Sequence, residues 1–476
     1  MKPQPYIRIL DRRLLVRSAV IVALGSAALL LAGCTTVEPA AKVAATNRTL
    51  GAFTGNELRL VASAEELRTR REGVDALLAA PLSQDGAVRL ALLGSPALQA
   101  LLAERTAEIA DAARAGRIGN PVLSYERLRD HGEIDIGRLL SVGLLELLTL
   151  PQRQRVADAA VQAGDLRLAV TVVDEVTRVR QAWVRAVVAE QRRRYAERVL
   201  ESGVASAELA RRMEAAGNFN RISRARQQAF EADARTQAVL ARQQANSARE
   251  ELVRALGLGD AEAAKLQLPE RLPDLPAQPV PAATLSSRAS AERLDVALAA
   301  ADWRTAAARR GLGGITTLTD IELGVRRDSA ARGYEVDVRL PLFDGGDLDR
   351  TALDARTLAA ASTLEATSRA AGSHLRESYS AYLAAHDIAR HHRDELVPLR
   401  KTISEENLLR YNGMFIGVFE LLADAREQIA TVMAAIDAEQ QFWLADAALQ
   451  SAIVGRPAGL ALQATATASR GGADAH

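Results

Sequence analysis

Two helical runs, each too long for an ordinary globular domain, constrain this chain more than any other feature. From Pro151 to Ala215 a pattern rich in Ala, Arg, Glu, Gln and Leu continues without a breaker, which predicts one helix of about 65 residues ended at Gly217-Asn218. A second run of similar length extends from Gly346 to Tyr411. Each is followed by a medium helix, Asn220 to Gly257 and Gly417 to Val454, of about 38 residues, and each half also carries a short one, Arg89 to Gly116 and Leu285 to Leu312, of about 28. A medium and a short helix placed end to end nearly equal one long helix. At 1.5 Å per residue, each composite antiparallel pair forms a rod on the order of 100 Å long, several times a bilayer thickness.

The two halves also resemble each other in sequence. Val179-Arg180-Gln181-Ala182-Trp183 aligns without a gap to Leu375-Arg376-Glu377-Ser378-Tyr379, and at the same offset Gly217 and Phe219 align to Gly413 and Phe415. A long internal period of this kind predicts a duplicated strand-strand-helix-helix unit.

Between the short and long helices lie alternating segments. Ile315, Thr317, Thr319, Ile321, Leu323 and Val325 fall on one side of a strand from Ile315 to Arg326. After a turn at Ser329 to Gly333, Tyr334, Val336, Val338, Leu340 and Leu342 form an apolar side opposite Glu335, Asp337 and Arg339. The matching pair is Pro121 to Arg129 and Arg138 to Leu148, where Leu144-Leu145 and Leu147-Leu148 spoil the alternation. Period two with one charged side fits a barrel wall between lipid and water; a half-buried hairpin on a soluble domain has the same period. Four strands cannot close around a useful lumen, and an open edge in lipid leaves hydrogen bonds unmet. Three copies supply twelve strands, enough for an aqueous passage. The expected fold is mainly α, with a trimeric 12-stranded membrane β-barrel continuous with a long α-helical barrel.

The amino terminus suggests where such a barrel is delivered. Lys2, Arg8, Arg12, Arg13 and Arg17 precede a nearly uninterrupted apolar stretch from Ser18 to Gly33, about 16 residues, short for a membrane span and suited to a signal sequence. It ends in Leu31-Ala32-Gly33-Cys34. Cys34 is the one cysteine of the chain, so it has no internal disulfide partner and stands where a lipid is attached in bacterial lipoproteins. A signal peptide that merely contains a cysteine is the competing reading. Thr35, in place of the Asp that retains lipoproteins on the inner membrane, points to the outer membrane.

The chain then divides into a signal at 1–33, an anchor and equatorial segment at 34–88, a first unit at 89–257, a linker at 258–284, a second unit at 285–455 and a tail at 456–476. The linker contains Pro269, Pro273, Pro276, Pro279 and Pro281, which forbid a helix and predict an extended segment wrapped around the rod. Lys and Arg number 60 against 59 Asp and Glu, a balance without the basic footprint of a nucleic-acid binder.

Taken in order, these pieces resemble the TolC-like outer-membrane efflux proteins over essentially the whole mature chain. The resemblance is carried by the lipobox, Gly119-Asn120-Pro121 before the first strand, Leu340-Pro341-Leu342-Phe343-Asp344-Gly345-Gly346 after the fourth, and Tyr411-Asn412-Gly413 followed by Glu420-Leu421-Leu422-Ala423-Asp424-Ala425-Arg426. It implies a homotrimer in outer-membrane lipid, a helical tunnel across the periplasm ending in an iris-like gate, and two partners: a periplasmic adaptor and an inner-membrane pump, often of the resistance-nodulation-division class. The chain departs from the family pattern at Pro151-Gln152-Arg153, where an Asp-Gly-Gly turn is usual, and at Arg224 and Arg226, which replace an acidic segment.

On this reading the chain is a passive exit duct for small solutes. A non-conducting lipid-anchored scaffold and an exit duct for secreted proteins are the alternatives. The expected adaptor contacts are Gly217, Phe219, Tyr411, Gly413 and Phe415. Glu420 and Asp424, four apart on one helical face, are candidates for a carboxylate ring that favours cations, unless that face is simply solvated. Arg224 aligns with Glu420 at the repeat offset and is the candidate counter-charge from an adjacent helix pair. His391-His392 point about 100° apart on a helix and do not make a metal pair. Gly311-Leu312-Gly313-Gly314 reads as a helix-to-strand joint rather than a phosphate loop. No cofactor, metal or catalytic constellation is expected.

Overall fold

The computed structural model describes residues 37–457 except 62, 131–132, 286–288, 290–292, 317–319, 329–330, 341 and 344. The lipobox, with Cys34, and nearly all of the tail lie outside the described residues.

Two helices begin the described chain, α1 (Pro39–Thr54) and α2 (Ala64–Leu78). Sequence reading left this segment without helices, although Ser63 and Glu66 form a reciprocal capping box on α2. Next come α3 (Gln84–Gly94), α4 (Pro96–Arg114), β1 (Val122–Asp130), β2 (Glu133–Gly143), α5 (Leu144–Leu148), α6 (Leu150–Ala215) and α7 (Arg221–Leu256). After the four-residue α8 (Asp260–Ala263), the same kinds of element follow again: α9 (Leu294–Thr316), β3 (Ile321–Arg327), β4 (Arg332–Val338), α10 (Asp347–His391), a π-helical turn (His392–Leu396), α11 (Val397–Asn412) and α12 (Val418–Ile453).

The medium helices match expectation closely because their ends are capped. Asn220 accepts from the Ser223 amide at the start of α7, and Gly257 ends it in the left-handed region at φ 69°. A side chain at Gly257 would strike Ser95 and Pro96, so this glycine also lets α7 close on the bend between α3 and α4.

Several expected elements are corrected. The first short helix is two helices bent by 52° at Ser95-Pro96, where Pro96 takes the first position of α4. The second has helical turns at 282–285 before α9 begins at Leu294, and α9 continues through Gly311 to Gly314, expected as a joint, and through Ile315 and Thr316, Ile315 having been expected to open a strand. The second strand ends at Gly143; Leu144–Leu148, whose apolar residues do not alternate, are the helix α5. The fourth ends at Val338, before Leu340 and Leu342. The second long run is broken by the π turn. Pro398 explains it: the ring has no N–H to give and crowds the carbonyl four residues back, so the ladder widens in the preceding turn.

The four strands form one antiparallel sheet in the order β1-β2-β3-β4. Leu140 faces Leu123 on one side and Val325 on the other, and Val325 faces Tyr334. This row, with Val142, Leu323 and Val336 in the next, makes one side of the sheet apolar, and Leu123, Val325 and Tyr334 are 71, 66 and 82 % exposed.

The main core surrounds the middle of α6. Leu168, Val172, Val176, Val179, Trp183 and Val187 pack there with α1 to α3 and the end of α7. A second core joins Tyr382, Phe442 and Leu449 to the linker. Extended chain is strapped to the helices at this level. The Trp183 indole N–H donates to the Leu82 carbonyl at 2.8 Å, and the Leu82 amide donates to Gln267. The Tyr379 hydroxyl donates to the Val280 carbonyl at 2.9 Å, and the Trp443 indole to Pro273. Trp183 and Tyr379 are the aromatic pair aligned by the repeat offset. Toward the far end the residues buried along α6 and α7 are small, Ala207 and Ala210 on one and Ala234 and Ala238 on the other, and Gly203 sits beside Glu231 and Ala234, so the helices run close together.

Candidate functional site

The sheet and the distal helix tips are the two ends of the molecule that sequence reading singles out. On the sheet side opposite the apolar rows, Arg326 is hydrogen-bonded to both Asp328 oxygens at 3.1 and 3.2 Å and lies 3.6 Å from Glu126 and from Glu335. That side carries the paired charges, while the other is apolar and exposed over the rows nearer the helices. β1 and β4 are the outer strands of the sheet, and among the described residues neither pairs on its second edge.

At the other end, α6 and α7 meet in a tight turn. Gly217 takes φ 75°, its amide donates to Glu214, and the Asn218 amide reaches back to Met213, a pattern that satisfies the last carbonyls of α6. The second tip differs by one residue. Gly413 keeps φ −80°, Met414 takes the left-handed position at φ 63°, and the Phe415 amide donates to Arg410. The aligned glycines therefore do different jobs, and Phe415 is displaced relative to Phe219. Phe219 stacks on Phe419 of the other tip with ring centres 5.2 Å apart. Tyr411 is half-buried, whereas Met414 and Phe415 are almost fully open to solvent. Arg426 crosses between the two tips, its guanidinium 4.7 Å from the Phe230 ring.

The charged candidates do not share one environment. Glu420 is exposed. Asp424, one turn further, is buried, and its Oδ2 has no hydrogen-bond partner among the described residues. Arg224 is paired within its own hairpin, 2.5 Å from Glu214, a contact sequence reading missed. Its signal lay in the ten-residue separation across the Gly217 turn. Further up α6, Arg211 and Arg212 both donate to Glu208 and pull its carboxyl down to about 2.

His391 ends α10 and His392 begins the π turn. His391 lies 3.2 Å from Glu395 at the surface, while burial lowers the His392 pKa. Beside this turn a cavity of about 280 Å³ opens between α6 and α12, lined by Tyr195, Arg198, Arg393, Val397 and Glu439. Burial raises the Glu439 pKa, with Asp274 adding to the rise and Arg271 and Arg393 opposing it. Among the described residues, no three His, Cys, Asp or Glu side chains are grouped to hold a metal.

The architecture has close counterparts among solved structures. It superposes on a membrane protein from Pseudomonas aeruginosa with a TM-score of 0.64 at 22% identity, over 83% of this chain and 95% of that one. The outer membrane protein VceC of Vibrio cholerae matches at 0.63 and 15% identity, over 83% and 99%. The Campylobacter jejuni CmeC outer membrane channel matches at 0.66 and 12%, over 84% and 89%. This chain has the TolC-like outer-membrane channel fold. No family sequence profile matches it, and no curated protein sequence does.

Proposed function

We propose that three copies of this chain form an outer-membrane exit duct of a tripartite efflux system, in which solutes driven by an inner-membrane pump pass through passively. One observation carries this reading: an open four-stranded sheet, apolar and exposed on one side, polar on the other, set at the end of helical hairpins on the order of 100 Å long. An unclosed sheet cannot stand in lipid, and three such sheets close into twelve strands with the polar side around the lumen. The recurring order of elements supports two hairpins per copy, six per trimer, arranged around a tunnel.

A periplasmic adaptor seats on the open tips, at Gly217, Phe219, Tyr411, Gly413 and Phe415. The pump, of the resistance-nodulation-division type, sets the substrate. Cys34 carries the lipid that anchors the duct, and Cys34→Ser abolishes fatty-acid labelling. Glu420 is the selectivity carboxylate of the gate, Asp424 supports it from the helix seam, and Arg224 braces the turn through Glu214. Glu420→Ala therefore weakens cation selectivity more than Asp424→Ala does. Imaging of the detergent-solubilised protein, joined to planar-bilayer recording, tests the whole reading. A trimer with a barrel on a long stem and discrete conductance steps is expected. A non-conducting rod without a barrel means an envelope scaffold and overturns it.

A further inference from the structure

The apolar side of the sheet ends in a group of arginines that the duct reading leaves unexplained. By strand register Arg138 faces Tyr125 on one neighbour and Arg327 on the other, and Arg327 faces Arg332. Three guanidinium groups thus start from three consecutive strands in one row, with strands about 4.8 Å apart. Arg127 and Arg129 continue the group toward the β1–β2 turn, on the same side. All five are exposed, and none makes an ion pair among the described residues. No carboxylate occupies this side of the four strands; Glu126, Asp135, Glu322, Glu335 and Asp337 all alternate to the other. Arg326, which falls on that acidic side, is paired with Glu126, Asp328 and Glu335.

Like charges directly opposite each other weaken a sheet unless something neutralises them. Two residues closer to the helices, a spacing of about 7 Å, lies the apolar row Leu123-Leu140-Val325-Tyr334. The arginines therefore stand just beyond the hydrocarbon band, on its outward, lipid-facing side, next to the aromatic rings of Tyr125 and Tyr334. Guanidinium groups bind phosphate oxygens in pairs, and a row of them matches a headgroup carrying more than one phosphate.

We propose that Arg138, Arg327 and Arg332, extended by Arg127 and Arg129, form a belt that binds the phosphate groups of lipopolysaccharide in the outer leaflet. The proposal rests on the barrel reading: with the helices in the periplasm, both hairpin turns point outward and the belt lies at the outer headgroup level. It commits to the bis-phosphorylated glycolipid because three adjacent cations exceed what a single-phosphate headgroup neutralises.

The test uses the full-length protein in mild detergent, titrated with bis-phosphorylated lipid A, with lipid A stripped of phosphate, and with phosphatidylglycerol. Bound lipid is counted by native mass spectrometry, and insertion and conductance are recorded separately. Wild-type protein binds the phosphorylated form at least about tenfold more tightly than either other lipid, and Arg138→Gln/Arg327→Gln/Arg332→Gln loses that preference. Arg226→Gln at the distal tip keeps it. Equal binding of the phosphate-free lipid to wild-type protein overturns the proposal without need of a variant, as does equal binding of phosphatidylglycerol. So does a folded, conducting triple variant with unchanged preference. Wild-type protein that neither inserts nor conducts brings down the barrel reading itself, and the belt with it.

Discussion

The two long helical runs are alike in length and differently held. The first, α6, has 66 residues, 22 of them buried within one chain. The second joins segments of 45, 5 and 16 residues, the same total, and buries only Ala371, Tyr382, Ala385, His386 and Ala389, all before the π turn. From His392 to Asn412 it buries none. The cause is local. α6 is flanked by the amino-terminal helices, α7, α9 and α12, whereas among the described residues the second run packs mainly on α9, α12 and the linker. Equal length with unequal support means that reach is set by residue number and stiffness by neighbours. In the proposed trimer the bare faces of the second run are covered by the next copy, so the second run is the part whose packing depends on assembly.

The aligned aromatics give the largest test of that contrast. Trp183 is 1 % exposed and holds the Leu82 carbonyl, while Tyr379 is half-buried and holds the Val280 carbonyl. Trp183→Ala is expected to cost about 3–5 kcal/mol and Tyr379→Ala distinctly less, measured by thermal denaturation of the solubilised protein. Equal losses contradict the unequal support of the two runs.

At the sheet the two halves are equivalent, because Leu140 and Val325 face each other in one row. Leu140→Arg and Val325→Arg are each expected to impair insertion, at a cost of roughly 2–4 kcal/mol near the bilayer midplane and less toward the interface. Asp337→Arg, on the polar side, inserts normally. Heat-modifiability gels on outer-membrane fractions measure this, and tolerance of both apolar-side changes breaks the assignment of that side to lipid.

A smaller asymmetry sits at the tips. Gly217→Ala puts a Cβ into a left-handed turn and is expected to cost about 1–2 kcal/mol. Met414 already bears that strain and is 92 % exposed, so nothing in packing offsets it. Met414→Gly is expected to gain up to about 1 kcal/mol. Proteolytic nicking at the tips reads both changes, with the opposite signs as the signature. If the two move nicking in the same direction, the turns are not the unequal pair seen here.

What the chain disclosed in advance follows the range of the forces involved. The lengths of the medium helices were legible because caps and breakers such as Asn220 and Gly257 act on neighbours in sequence, and the apolar alternation of β4 was legible from period two. The π turn was not anticipated, although Pro398 marks it, because a proline in a long helix announces a defect without its form. Strand register is set between distant segments, so the row Arg138-Arg327-Arg332 has no signature in either hairpin alone. The burial of Asp424 and the Arg224–Glu214 pair likewise depend on how two helices rotate against each other, which their separate patterns leave open. The apolar run Leu144–Leu148 was misread for the opposite reason: five residues satisfy a short strand or a single helical turn, and the neighbouring Pro151 helix decided between them.

The smallest expected effect lies in the cavity beside the π turn, where side chains of both runs meet. Glu439 lines it with Tyr195 and Arg198 of the first run and Arg393 and Val397 of the second. Burial raises its pKa above the ordinary carboxylate value, so the folded state holds a proton that the unfolded chain has already released. The sign follows from that inequality: the neutral form favours folding, its contribution is present below the ordinary carboxylate pKa, and it is lost as pH rises toward and through the raised value. Glu439→Gln keeps the group neutral throughout. Wild-type protein should therefore lose more stability than the variant between pH 4 and 7, and the variant should be the more stable at pH 7. Solvent at the cavity mouth screens the charge, so the difference is expected to be a few tenths of a kcal/mol. Thermal melts of the two proteins across that range measure it. Parallel curves place the Glu439 carboxylate in water rather than between the two runs.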